Sequence, residues 1–105
     1  MNKEYDATKL NKPIKVFISG KITEDPDYKE KFAKKEQVIR ELGYVPLNPA
    51  VLPQGMKISS YMEISFIMIE EADIILMLSD WKKSKGAKVE YEYAKYLNKH
   101  IAFEY

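Results

Sequence analysis

The most constraining feature of the sequence is Ile74-Ile75-Leu76-Met77-Leu78, an unbroken apolar run in a chain whose charged residues make up 31%. The run has no polar–apolar alternation, as expected for a parallel strand covered on both faces. Parallel strands need crossover connections, and those are usually helices. The rest of the chain should therefore alternate strand and helix around this run.

It does so. Ile14-Lys15-Val16-Phe17-Ile18-Ser19 is β-branched and aromatic, stops at Gly20, and reads as the first strand. A helix is expected next, with Asp25 as N-cap, Pro26 at its first position and Asp27 in its first turn. Its apolar stripe would be Tyr28, Phe32, Val38/Ile39 and Leu42, closed by Gly43. Tyr44 to Leu47 is a short strand, and Pro46 suggests a sheet edge. Asn48 to Lys57 reads as a loop. Ser60 and Glu63 form a capping box for a second helix, with Ile64, Ile67 and Met68 as its buried stripe. After the apolar strand come a polar loop from Ser79 to Lys85, a third helix over Gly86–Asn98 and a last strand at Ile101-Ala102-Phe103.

This β-α-β-α-β-α-β order predicts an α/β fold: a three-layer α/β/α sandwich, flavodoxin/Rossmann-like, with a parallel sheet of four to five strands. We expect one domain over 14–105 behind a loose leader at 1–13. Ligands in such sheets bind beyond the carboxyl ends of the strands, where strand order reverses. Ser19–Asp25, Asn48–Ser59 and Ser79–Gly86 are therefore the loops of interest.

Composition narrows the chemistry. The chain has no cysteine, which excludes disulfides, thiolate catalysis and cysteine-based zinc sites. A single histidine, His100, argues against a histidine metal centre, and neither a metal nor a cofactor is expected. The net charge of +1 argues against a nucleic-acid polymer as partner. No apolar run nears the roughly 20 residues that span a bilayer. The polar start lacks a signal-peptide core, so a soluble cytoplasmic protein is expected.

Within the third helix, Ala87, Glu90, Ala94 and Leu97 share one face by spacing, which puts Glu90 on the stripe that packs against the sheet. A carboxylate there is costly unless it is paired or functional. It would either cap its helix, bond a loop or serve a ligand. Glu92, by contrast, has Lys88 and Lys95 as solvated ion-pair partners. Ser84-Lys85-Gly86, preceded by Lys82 and Lys83, opens the same helix. It serves either as an N-cap with solvated lysines or as an anion site using free N–H groups and the helix dipole. Gly20-Lys21-Ile22-Thr23 lacks the phosphate-loop pattern, and G-x-G-x-x-G is absent, which excludes a nucleoside triphosphatase and argues against a dinucleotide site. Trp81, Tyr61 and Tyr91 could wall a pocket for a planar base or simply pack.

These motifs together resemble the nucleoside 2-deoxyribosyltransferase superfamily. They are most similar to its small branch containing the Rcl-type 2′-deoxynucleoside 5′-monophosphate N-glycosidases and uncharacterised bacterial and phage relatives. The resemblance spans residues 14–103. It rests on Val16-Phe17-Ile18-Ser19-Gly20, Asn48-Pro49-Ala50, Ala72-Asp73 and, above all, Ser84-Lys85-Gly86-Ala87-Lys88-Val89-Glu90 followed by Tyr93-Ala94. It implies that Glu90 is a nucleophile attacking the anomeric carbon of a 2-deoxyribosyl unit, with retention, as in two-step glycosidases. Ser84 stands where the monophosphate glycosidases use a serine to contact phosphate and the transferases commonly use an aspartate, which favours a nucleotide over a nucleoside. The implied substrate-binding positions are Ser19, Gly20, Lys21, Asn48, Asp80, Ser84 and Gly86. The family's aspartate that helps protonate the departing base is replaced here by Ser65, with Glu63 and Asp80 as possible substitutes. The family also implies a homodimer or larger homo-oligomer. A non-catalytic nucleotide-binding module of the same fold is the alternative, and a plain structural or interaction protein a third.

Overall fold

The computed structural model describes residues 13–104. The chain runs β1 (Lys15–Ser19), α1 (Tyr28–Glu41), β2 (Val45–Leu47), α2 (Ile58–Glu71), β3 (Ile74–Met77), α3 (Lys85–Tyr96) and β4 (His100–Phe103). Short 3₁₀ turns lie at Pro49–Val51 and Trp81–Lys83. The strands form one parallel sheet in the order β2-β1-β3-β4. The apolar run thus forms a central strand, paired with β1 from Val16↔Ile74 to Ser19↔Met77. Pro46 sits in the edge strand β2, where a residue without an N–H is tolerated.

The alternation of side chains along β1 divides the core. Val16 and Ile18 pack with Phe32 and Ile39 of α1 and with Leu78. Phe17 faces the other way and packs with Ile69, Ala72, Ile75, Met77, Ala87 and Ala94. One layer is therefore α1, the next the sheet, and the third α2 with α3. Right-handed crossovers explain the placement. The step from β1 to β2 moves in one direction across the sheet, and the steps to β3 and β4 move in the other. The reversal falls between β1 and β3, so a crevice opens above the carboxyl ends of these two strands.

The structure corrects several local expectations. Asp25 does not cap α1. The helix starts at Tyr28 behind Asp27, which makes no side-chain cap. The Asp25 carboxylate instead accepts the Asp27 N–H at 2.9 Å and the Lys31 ammonium at 2.5 Å. Val38 and Leu42 are 45% and 64% exposed, because only the Phe32–Ile39 line of α1 meets the sheet. The Ser60/Glu63 capping box does not form, since α2 already begins at Ile58 behind Lys57. Its buried residues are Ser65 and Ile69, whereas Ile67 is 61% exposed. The segment is apolar on nearly every side, so periodicity could not fix its rotation. Among the described residues the sheet has four strands and β4 pairs with β3 alone, while residues 1–12 of the expected leader lie outside those described.

The expected stop at Gly43 is realised. Gly43 has φ of 84°, its N–H donates to Arg40 and that of Tyr44 to Ile39, closing a Schellman motif. Asn98, at φ of 58°, ends α3 with the same bonding pattern, to Lys95 and Ala94. A Cβ at Gly43 would meet no atom within 4 Å, so a substitution there tests backbone strain alone. Gly43→Ala is expected to lower unfolding free energy by about 1 kcal/mol in urea titration, with an unchanged denaturant slope.

Candidate active site

Ser19 has the same parity as Phe17 and so points towards α2 and α3. Opposite it, α3 presents Ala87, Glu90 and Ala94, all buried. The Ser19 hydroxyl donates to Glu90 Oε1 at 2.7 Å, and Glu90 is only 8% exposed. Burial pushes the Glu90 carboxyl up to about 7, because a charge is poorly solvated there. The Ser19 and Ser65 hydroxyls pull the other way by hydrogen bonding to the charged form, but they do not cancel the loss of water. Side chains from β1, α2 and α3 thus converge on one carboxyl that titrates near neutrality.

Glu90 lines a cleft of about 1050 Å³. Its other walls include Gly20, Tyr61, Ser65, Ser84 and Gly86, contributed by the segments that follow β1, β2 and β3. This is the reversal point of the sheet. Gly20 is required sterically, since a Cβ there would lie 2.8 Å from Leu78 Cδ1. Gly86 leaves room, as a Cβ would be 3.8 Å from the nearest atom, Met62 Sδ. Ser84 both caps α3, accepting the Ala87 N–H at 3.1 Å, and lines the cleft with Lys83 and Lys85 beside it. The N-cap reading of this serine is therefore realised, and its O–H remains available to donate.

Lys21 reaches the cleft, while its backbone is held from outside. Its N–H donates to Asp80 Oδ1 at 3.1 Å, and its carbonyl accepts from Lys31 Nζ at 2.8 Å. Lys31 also contacts Asp25 and Asp80 at 2.5 Å each. Burial alone would lower the Lys31 pKa, but the two carboxylates outweigh it and raise it. Lys31 thus clamps the β1–α1 loop to the turn after β3. The sequence offered no signal for this, because it is one lysine of many on a charged helix face.

Three named positions, Ser19, Asn48 and Asp80, lie outside the cleft lining, and Ser19 is buried against Glu90. Asn48 is buried and structural: its Oδ1 accepts the Ala50 N–H at 2.8 Å and its Nδ2 donates to Glu36 at 3.0 Å. Asp80 is occupied by Lys31 and the Lys21 N–H. Glu63 is exposed and lies outside the described cleft lining, so neither proposed substitute acid faces the opening. Of the three aromatics, Tyr61 lines the cleft, with its hydroxyl bonded to Pro53 O and to Met56 N. Trp81 and Tyr91 instead stack at 4.6 Å and pack beside Phe103. Glu92 pairs with Lys95 at 3.3 Å, as a solvated residue should. His100 is exposed at the start of β4.

Comparison with solved structures gives the class of fold. A 2-desoxiribosyltransferase from Leishmania mexicana matches with a TM-score of 0.70 and 21% identity, over 87% of this chain and 63% of the other. The chain therefore spans less than two thirds of that enzyme's length. A Clostridium botulinum CMP N-glycosidase, BcmB, matches with a TM-score of 0.65 and 18% identity, over 85% of this chain and 69% of the other. The chain shares the fold of these two proteins. The chain belongs to the family described as Domain of unknown function (DUF4406), whose model matches residues 14–103. No curated protein sequence matches the chain.

The raised Glu90 pKa makes stability depend on pH. Below about 4.5 the carboxyl is protonated in both the folded and the unfolded chain, so its burial carries no ionisation penalty. Between there and about 7 the unfolded chain ionises first and folding loses stability; above 7 the loss levels off. Glu90→Gln has no such term. It is expected to match the parent at pH 4 and to exceed it by about 3 kcal/mol at pH 8, read from urea unfolding at both pH values.

Proposed function

We propose that this protein cleaves or transfers at the N-glycosidic bond of 2′-deoxynucleoside 5′-monophosphates or nucleosides, with Glu90 as nucleophile. The observation that carries the reading is the buried Glu90 carboxyl, set in the wall of an open cleft and oriented by Ser19. An ionised Glu90 would attack the anomeric carbon, and the C–N bond electrons would leave with the base. Water or a second base would then resolve the sugar ester, giving retention overall. Ala87 and Ala94 flank Glu90 without crowding it, and Ser19 donates to the oxygen that carries the developing or returning charge. Ser84, Lys83, Lys85 and the free N–H groups of α3 suit a 5′-phosphate, which is why a nucleotide is preferred to a nucleoside. The likeness to a deoxyribosyltransferase and a CMP N-glycosidase supports the same class of chemistry.

One observation favours a second reading, a nucleotide-binding module without catalysis. Ser65 stands where the related pattern has an acid, and Glu63 and Asp80 do not line the cleft. That reading expects nucleotide binding with no base released.

The deciding experiment incubates the protein with a panel of deoxynucleosides and their 5′-monophosphates and follows free base by chromatography. Base release from a monophosphate, lost at least about 100-fold in Glu90→Gln with folding intact, is the expected result. Full activity in that variant would end the proposal. Because Glu90 must be ionised to attack, kcat/KM is also expected to rise with pH, with the midpoint of its acid limb near 7. A flat profile from pH 5 to 8 would contradict Glu90 as nucleophile.

A further inference from the structure

One stripe of α2 runs from the cleft into the core. Ile58, Tyr61, Met62 and Ser65 all line the cleft, at the spacing of one helix face. Ile69, one turn further on, is fully buried in the layer beneath. Ser65 stands where this stripe passes from opening to interior, and it is 4% exposed. A hydroxyl so far from water costs free energy unless it has a partner. Its partner is the Glu90 carboxyl on α3. The start of α2 is fixed as well. The Tyr61 hydroxyl donates to the Pro53 carbonyl and accepts the Met56 N–H at 3.0 Å, tying the loop before α2 to the face that carries Ser65.

Ser19 and Ser65 hold Glu90 from different sides. Ser19, at the end of β1, is 1% exposed, lies outside the cleft lining and donates to Oε1 at 2.7 Å. Ser65 belongs to the lining. One hydroxyl thus grips the carboxyl from the core and the other from the edge of the opening, and both bonds favour the charged form. No cation assists them. The titratable groups that share the cleft are Lys21, Glu24 and Asp25 after β1, Tyr28 on α1, Tyr61 on α2, and Lys83 and Lys85 at the start of α3. Among the described residues none of these hydrogen-bonds to Glu90 or pairs with it, and β3 adds only the apolar Ile75 and Met77 to this layer.

An acid at position 65 would upset this balance. Its carboxyl would share a buried site with Glu90, and two like charges that close cannot both ionise near neutrality. Burial already pushes the Glu90 carboxyl up to about 7. A second carboxyl would push it further and keep the proton on the group that must attack. A hydroxyl donates without competing for charge.

We propose that Ser65 is a positioning residue acting through Glu90: with Ser19 it forms a pair of hydroxyls, from α2 and β1, that holds the Glu90 carboxylate ready for attack. The serine is then a working part of the site rather than the trace of a lost acid. Its catalytic consequence rests on the N-glycosidic reading above.

The test begins with the Glu90 carboxyl itself, which needs no turnover. With isotope-labelled glutamate carboxyls, the Glu90 resonance is assigned by its absence in Glu90→Gln and titrated across neutral pH. Ser65→Ala is expected to move its midpoint up by about one pH unit, whereas Ser65→Thr, which keeps the hydroxyl, holds it within about 0.3. In base release from a monophosphate, Ser65→Ala is expected to lose about tenfold in kcat/KM at pH 6 and less than about threefold at pH 9. Ser65→Asp, which installs the acid of the related pattern, is expected to raise the Glu90 midpoint further and to be slower than the parent at pH 7. An unchanged midpoint in Ser65→Ala, an equal loss at pH 6 and pH 9, or faster base release by Ser65→Asp than by the parent overturns the proposal while leaving Glu90 as nucleophile in place. A parent that releases no base ends the N-glycosidic reading, and the titration then decides alone whether Ser65 governs the charge on Glu90.

Discussion

The carboxyl of Glu90 is the constraint around which this molecule is organised. An ionised side chain inside an apolar layer is among the most costly features a small domain can carry. Here the cost is reduced rather than removed. Ser19 donates one hydrogen bond from the end of β1, Ser65 adds another hydroxyl from α2, and the carboxyl still titrates near 7. A carboxyl balanced between neutral and charged near neutrality, set in a cleft wall, is a candidate for function. It suits a purely structural ion pair poorly, because no cation is placed against it among the described residues.

Holding that carboxyl beside an opening requires rigid surroundings. The first two requirements come from the sheet. β1 and β3 are central and pair through to Ser19↔Met77, so the end of β1 cannot move independently. Gly20 then turns away directly over Leu78, at a distance no side chain would allow. The third requirement is met by charge. Lys31, partly buried on α1, gathers two carboxylates and a carbonyl and fastens the loop to the turn beyond β3. A lone exposed ion pair contributes little, but a shared ammonium with three acceptors has the geometry in which such contacts hold a loop.

Much of the fold was legible from simple regularities. The apolar run marked the central strand, Pro46 marked an edge, and Gly43 marked the end of α1, each for a steric or hydrogen-bonding reason local to those residues. Glu90 was legible because a helix face is defined by spacing, and an acid between Ala87 and Ala94 breaks the expected pattern. Helix starts were misread for an equally physical reason. Asp25 and Ser60 have the chemistry of caps, yet Lys31 draws the first into a clamp and α2 begins upstream of the second. Of the aromatic residues that the sequence allows either to wall a pocket or to pack, Trp81 and Tyr91 pack, side by side with Phe103.

The order of elements, the parallel sheet and the face of α3 that carries Glu90 follow from the sequence alone, because they depend on periodicities of two and 3.6 that one segment carries by itself. Which polar groups meet does not. The partnership of Ser19 with Glu90 joins positions 71 residues apart, and the grip of Lys31 on Asp80 joins positions 49 apart. The rotation of α2 that turns Ser65 inward and the clamp on the loop were decided only when the layers packed. Each depends on distances between elements that no local pattern encodes.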